Sequence, residues 1–345
     1  MVDAEVPYCM RRAVQRELNY ADNFRINRRI DSKILQASRD VEGLCHRKFY
    51  PVTDTRSFDL PETDSLWLYQ HELTSVEAIV SGDTAMSAAD YILRPESGPP
   101  YTWIDVDYSG QTGWQAGNTW QRSIAITGDF GYPVTTSNPT VLASSLSALA
   151  GTLTVDSSAD VGAGALILIG DERMIVTDEE LITTTATITA DITANKADIV
   201  ISVSDGSLLD QGELLAIGGE RMFVESISGN TVTVSRSQNG STLAAHTNGA
   251  TIYAPRRLEV ARGQCGTDAG EHDADDTVTL LSPPSLISEY VLGLTCAALE
   301  HGSSGFARSA GSGESQRQSD DRGLSALADS VYARYGRKAR SRAVC

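Results

Sequence analysis

GALILIGDERMIV at residues 164–176 and GELLAIGGERMFV at 212–224 carry one pattern twice, 48 residues apart. Each reads as an apolar strand, a glycine turn and a second strand. The residues ahead of them match as well, LTVDSSADVGAG at 153–164 with ISVSDGSLLDQG at 201–212. A second echo has a different offset: VSRSQNGSTLAAHTNGATI from Val234 resembles VARGQCGTDAGEHDADDTV from Val260, 26 residues on. Repeated units of this kind bury their apolar faces by stacking. Residues 134–282 are therefore expected to form an all-β repeat domain, a sandwich or a barrel.

The flanks have another texture. Tyr8 to Tyr20 suits a short helix. From Ile26 the apolar residues Ile26, Ile30, Ile34, Ala37, Val41 and Leu44 recur at helical steps, so Arg28, Arg29, Lys33 and Arg39 fall on the opposite face. Pro51 forbids continuation at Tyr50. Residues 52–133 change to short β-like runs separated by Gly, Pro, Asp and Ser, a small antiparallel sheet. Helix returns after Pro283 and Pro284, with Ser285 as cap. GSSGFARSAGSGESQRQSDDRG at 302–323 reads as a linker, and a last helix presents Leu324, Leu327, Val331, Tyr332 and Tyr335 on one face. The expected fold class is thus α+β: a helical core with a small antiparallel sheet over 1–133 and 283–345, joined to the β repeat domain over 134–282.

The 345 residues carry a net charge of −17, distributed unevenly: +3 over 1–50, −9 over 51–135, −13 over 136–281 and +2 over 282–345. Acid in the centre argues against a general nucleic-acid-binding surface. No run reaches the length of a membrane span, and Asp3 and Glu5 stand where a secretory signal would carry cations. The five cysteines are scattered without a CxxC, which favours reduced structural thiols.

Candidate chemistry is sparse. Cys45 and His46 are helix neighbours and diverge by about 100°, so they cannot share a substrate or metal. His246 and His272 recur at equivalent positions of the repeated hairpin, which predicts one local hydrogen-bonding job done twice, such as an imidazole satisfying its own loop backbone. Around the second, Glu271, Asp273, Asp275 and Asp276 lack calcium-loop spacing and read as a solvated acidic loop. Glu172 with Arg173, and Glu220 with Arg221, point to opposite faces of a strand and predict cross-strand pairs at a hairpin rather than an acid–base dyad. No nucleophile, base and orienting group assemble, and no GxSxG, Walker loop, HExxH or dinucleotide fingerprint occurs. Neither an enzyme nor a cofactor or metal site is expected. The basic C-terminus, with Arg334, Arg337, Lys338, Arg340 and Arg342, is the strongest local electrostatic signal.

IDSKILQASRDVEGLCHRKFYP at 30–51, TRSFDL at 55–60, DYILRPESGPPYTWIDVD at 90–107 and ITGDFGYP at 126–133, followed by the helix, linker and helix at the end, together resemble the head-to-tail adaptor (connector) proteins of long-tailed bacteriophages, in the form seen in phages of actinobacteria. The resemblance covers roughly residues 8–133 and 283–340. The β repeat domain is an insertion relative to that family and must begin and end at neighbouring points.

The resemblance implies a virion protein of the phage neck, made in the host cytoplasm. It would form a homo-oligomeric ring, typically of twelve subunits, between the portal protein and the stopper or tail-terminator proteins. Double-stranded DNA would pass through without specific binding, and no membrane is involved. On that expectation Tyr332, Tyr335, Arg334, Arg337, Lys338, Arg340 and Arg342 dock on the portal, and Arg28, Arg29, Lys33 and Arg39 form a subunit interface. Asp105, Asp107 and Asp129 line an acidic channel that repels the duplex. The competing expectation is a virion-surface or host-recognition protein whose β-domain binds carbohydrate. A third is a metal-dependent hydrolase built on His246, His272 and the acidic loop.

Overall fold

The computed structural model describes residues 5–303, 309–310, 317–318 and 321–337. Most of the expected linker, together with Lys338, Arg340, Arg342 and Cys345, lies outside the described residues. Four α-helices occur among them: α1 (Arg11–Leu18), α2 (Phe24–Cys45), α3 (Ser285–Ser303) and α4 (Asp321–Tyr335). The Asn23 side chain caps α2 by accepting from the Ile26 N–H at 3.1 Å. His46, in the left-handed region at φ 54°, ends it. Its buried face carries Ile30, Ile34, Ala37, Val41 and Cys45.

The expectation of a helical core with a small sheet is overturned: the fold is mostly β, with sheets of four, three and ten strands. Residues 52–130 build two sheets of their own and meet the helices mainly at Val52 and Glu72. β1 (Val52–Phe58), β7 (Ile124–Phe130), β3 (Leu73–Ser81) and β4 (Thr84–Met86) form one sheet in that order; β2 (Ser65–Trp67), β6 (Trp103–Val106) and β5 (Tyr91–Arg94) form another. They enclose a core of their own, including Phe58, Leu66, Leu73, Ile104, Ile124 and Ile126. Strict alternation along β7 places Ile124, Ile126 and Phe130 inward. The helices gather around a second core, where α2 supplies the central stripe.

The ten-stranded sheet holds two lobes. Lobe 1 uses β8 (Thr135–Val141), β9 (Thr152–Thr154), β10 (Leu166–Ile169), the first half of β11 (Glu172–Thr187), the second half of β16 (Thr251–Ala261) and β17 (Thr277–Ser282). Lobe 2 uses the remaining halves of β11 and β16 with β12 (Val200–Ser202), β13 (Leu214–Ile217), β14 (Glu220–Ser228) and β15 (Thr231–Ser235). Cross-strand pairs correspond along the repeated hairpins. Val176 faces Val260 and Glu180 faces Arg257 in lobe 1, as Val224 faces Val234 and Ser228 faces Thr231 in lobe 2, with a register shift at the same place in each. Thr135 faces Ser282, so the region enters and leaves side by side.

This correspondence explains the two offsets. The copies are nested, not tandem: lobe 2 occupies the tip of the β11–β16 hairpin of lobe 1, where its own β14–β15 hairpin has only Gly229 and Asn230. Offsets of 48 and 26 add to 74, which is residues 181–256 less that two-residue turn. Each lobe has its own core of 14 buried apolar residues, and 13 of them correspond pairwise. One departure is Ala165 of lobe 1, matched by Glu213 of lobe 2. That buried carboxylate accepts from Ser158 N at 2.9 Å in lobe 1 and from Arg256 Nε at 2.8 Å and Nη2 at 2.6 Å. It is the joint between the lobes.

The short helix α1 is a strut across both lobes. Arg11 holds Asp31 of α2 through Nε (2.8 Å) and Nη2 (2.7 Å) and reaches Asp178 of lobe 1. Arg16 lies over the Phe223 ring of lobe 2 at 4.3 Å.

Replacing residues 181–256 by Gly-Asn should leave lobe 1 and the helices folded, because Glu180 and Arg257 are already cross-strand partners. A single cooperative melt with dispersed amide resonances is the expected outcome. Loss of cooperative structure would show instead that lobe 1 needs its nested copy.

Candidate functional site

The repeated strands build the same buried cluster twice. In lobe 1 the Glu172 carboxylate accepts from Arg262 Nε and Nη2 (both 2.6 Å), Gly263 N (2.9 Å) and Gly270 N (3.0 Å), and pairs with His272 Nε2 at 2.9 Å. In lobe 2 Glu220 accepts from Arg236 Nε (2.8 Å) and Nη2 (2.7 Å), Ser237 N (3.1 Å) and Ala244 N (3.1 Å), and pairs with His246 Nε2 at 2.9 Å. Burial pushes both carboxyls up, but these bonds outweigh it and hold each at about 2.

Five polar partners saturate each carboxylate. The recurrent histidines do perform one job twice, though their rings turn to Glu172 and Glu220 and not to loop backbone. Their main chains pair instead with Leu146 and Ile192. With every lone pair engaged, the cluster is a clamp on the hairpin loop and leaves no oxygen for a substrate. The adjacent arginines face the other way: Arg173 Nη2 donates to Asp129 at 2.8 Å, and Arg221 Nη2 lies 3.5 Å from Asp22. Around His272, Asp276 accepts from Asp273 N at 2.9 Å, closing the acidic loop on itself.

The other grouping of ionisable residues was not apparent from the sequence. A cleft of about 640 Å³ opens where the C-terminal end of α2 meets β1 and the chain leaving α4. Arg39, His46, Arg47, Lys48, Arg56 and Arg337 line it. Arg47 and Arg337 both ion-pair with the buried Glu72, at 3.3 and 3.4 Å. Arg56 Nη1 donates to His71 Nδ1 at 2.9 Å, and its guanidinium lies 4.1 Å from the centre of the Phe130 ring. Burial, then the positive charges of Arg56 and Arg337, push the His71 imidazole below its ordinary value. These cations arrive from three separate stretches of chain, the end of α2, β1 and the chain leaving α4, so no single motif announces them.

The other sequence candidates are scattered. Tyr335 is buried, edge-on to Phe49 and Tyr132, and is unavailable for docking; its helical stripe closes the core. Tyr332 is exposed, and Arg334 lies over the Tyr335 ring. On α2, Arg28 and Arg29 are exposed and Lys33 reaches Gln36. Arg39 is committed internally, donating to Val6 O at 2.7 Å and pairing with Glu42. Asp129 is bound by Thr53, Ser75 and Arg173. Asp105 accepts from Ser65 Oγ and Arg94 Nε, and Asp107 from Ser109 of its own turn. Cys45 is buried, with its thiol pushed up to about 11, while His46 points out; the two diverge as geometry requires.

No protein-family model matches the chain, and neither a curated protein nor a solved structure matches it.

Both clamps should make the protein acid-sensitive. A carboxyl held at about 2 against an ordinary 4.5 contributes stability that is complete above about pH 4.5 and is lost as pH falls toward 2. Glu172→Gln should flatten that dependence. At pH 7 it should also cost about 3–5 kcal/mol, because Arg262 stays buried without its counter-ion. Urea unfolding between pH 2 and 7 measures both.

Proposed function

We propose that the chain is a structural connector of a bacteriophage neck, forming a ring that joins the portal vertex to the tail and continues the DNA exit channel. One observation carries the reading: three of the segments that resemble such adaptors, the end of α2, the turn after β7 and the last helix, meet in one core. Phe49 of RKFYP, Tyr132 of GDFGYP and Tyr335 of the last helix pack edge-on, with ring centroids 5.5, 5.8 and 5.6 Å apart. The backbone ties them as well. Tyr132 N donates to Lys48 O, Gly131 N to Glu72 O and Arg337 N to Cys45 O.

The nested β lobes attach to this core from one side, through neighbouring strands, as an elaboration of it. Their aromatic residues do not form a sugar-stacking platform, because Arg16 covers Phe223 and Tyr253 stands apart from it. The connector reading is therefore the one proposed. Among the acids suggested as channel lining, Asp129 is already neutralised by Arg173 and would repel a duplex little. On α2, Arg29 donates to Leu299 O of α3 at 3.2 Å, which leaves Arg28, lying over the Phe24 ring, as the exposed arginine for a neighbouring subunit.

Negative-stain imaging of the full chain, alone and with a portal, should reveal rings of portal-matched symmetry. A chain that stays monomeric and fails to bind any portal rejects the reading. Truncation after Arg337 removes Lys338, Arg340 and Arg342 but spares the buried Val331 and Tyr335. The truncated subunit should keep its melting temperature and lose portal attachment; attachment at full strength would exclude the tail from docking.

A further inference from the structure

All four tryptophans of the chain, Trp67, Trp103, Trp114 and Trp120, belong to the two small sheets and their connections, and none to the β lobes. Trp67 lines a recess of about 920 Å³ formed by the chain from the end of β1 to the turn beyond β2. Strand alternation sets that lining: Leu66 and Leu68 are buried in the core, so Trp67 and Tyr69 face outward along one side. Trp103 of β6 stacks on Trp67 with ring centroids 4.8 Å apart and steadies it, yet Trp67 is still 40% exposed and Tyr69 66% exposed. Tyr69 also holds φ 51°, a left-handed conformation that a bulky aromatic residue adopts only where its surroundings enforce it. Here Leu68 N donates to Thr102 O at 3.0 Å and His71 N to Leu68 O at 2.8 Å, one bond on either side. Exposure forgoes the burial of a ring, and the left-handed backbone adds strain, so packing alone does not account for the arrangement.

The polar lining selects the ligand. Asp59, Glu62, Gln70 and His71 stand around the rings, and Asp59 Oδ1 is fixed by Arg122 N at 2.8 Å. Among the described residues no lysine or arginine lines the recess. Burial, then the charges of Arg56 and Arg337, hold the His71 imidazole below its ordinary value, so it stays neutral near pH 7. Carboxylates without a cation beside the ligand repel anions. What fits is an uncharged molecule with an apolar face for the rings and hydroxyls for the carboxylates and the amide. We infer that this recess binds a neutral saccharide, with Trp67 and Tyr69 as stacking platforms and Asp59, Glu62 and Gln70 as partners of its hydroxyls. The two rings are two residues apart, about 7 Å along an extended chain, close enough for one short oligosaccharide to touch both. The inference does not rest on the connector reading, since a chain that formed no ring would carry the same recess.

The test applies the full chain to an array of neutral and acidic oligosaccharides and titrates the strongest neutral binder in solution by tryptophan fluorescence, with polyproline as the control for peptide recognition by aromatic grooves. Saturable binding that survives about 1 M salt is expected, because an uncharged ligand is not screened. Tyr69→Asn keeps a residue suited to the left-handed backbone and removes the ring; it should weaken binding about tenfold or more at an unchanged melting temperature. Glu62→Gln, at an exposed position, should weaken it severalfold, and Tyr253→Ala in lobe 2 should leave it unchanged. Absence of any neutral binder, binding of acidic glycans or polyproline only, full affinity in Tyr69→Asn, or loss of binding in Tyr253→Ala overturns the inference.

Discussion

Glu172 and Glu220 sit where water cannot reach, and an interior carboxylate survives only if its charge is met. Each is met by an arginine held bidentately, two backbone N–H groups and an imidazole. The donors come from one loop, so meeting the charge fixes that loop. The outer sides of the two loops then dock the β region onto the rest of the chain. In lobe 1, Cys265 O accepts from Thr53 N of β1, and Gly266 lies so close that a Cβ there would stand 1.9 Å from Thr53 O. In lobe 2 the equivalent Gly240 lies against Asn19 and Ala21, between α1 and α2. Both glycines have positive φ, 81° and 63°, which the close approach and the turn together require.

The residue after each buried glutamate extends the same logic outward. Strand alternation turns Arg173 and Arg221 to the opposite face, and each finds an aspartate on the body it docks against, Asp129 and Asp22. A two-residue Glu-Arg phrase therefore works as an inward anchor and an outward latch, twice. Duplication copied the docking face along with the fold. Nesting then let the copies grip different partners, one the sheet and the other the helices. Glu213 has no counterpart in lobe 1 because only the inner copy needs a joint to the outer one.

How much of this the sequence disclosed follows from the range of each interaction. The repeats were legible, since alternation and glycine turns are local. So was α2, whose end before Tyr50 was announced by Pro51. The clamp was half legible: the glutamates and histidines stood out by recurrence, but Arg262 lies 90 residues from Glu172 and reaches it only through strand pairing. Nesting was implicit in two unequal offsets and needed the register of β11 against β16 to become visible. The balance of helix and sheet was misjudged, because a 22-residue amphipathic helix is conspicuous whereas strands of three to nine residues over 52–130 each carry a weak signal. Tyr335 looked like a docking residue for a related reason: an apolar helical stripe does not say whether its cover is another chain or its own.

Arginine serves in two ways here, and the difference is physical. Arg236, Arg256 and Arg262 are each held bidentately by one glutamate, with remaining N–H groups bonded to backbone carbonyls. Such a residue has nothing left to offer and belongs to the fold. Arg47 and Arg337 instead share one carboxylate, Glu72. In a chain of net charge −17, long-range fields would favour spreading cations over the acidic surfaces. Their concentration in one recess works against that tendency. Repulsion among them is tolerable because Glu72, Glu42 and Asp54 screen it. The same side chain thus closes each clamp by pairing with one glutamate and, at the end of α2, ties α2 and the chain leaving α4 to the segment before β3 through one shared carboxylate.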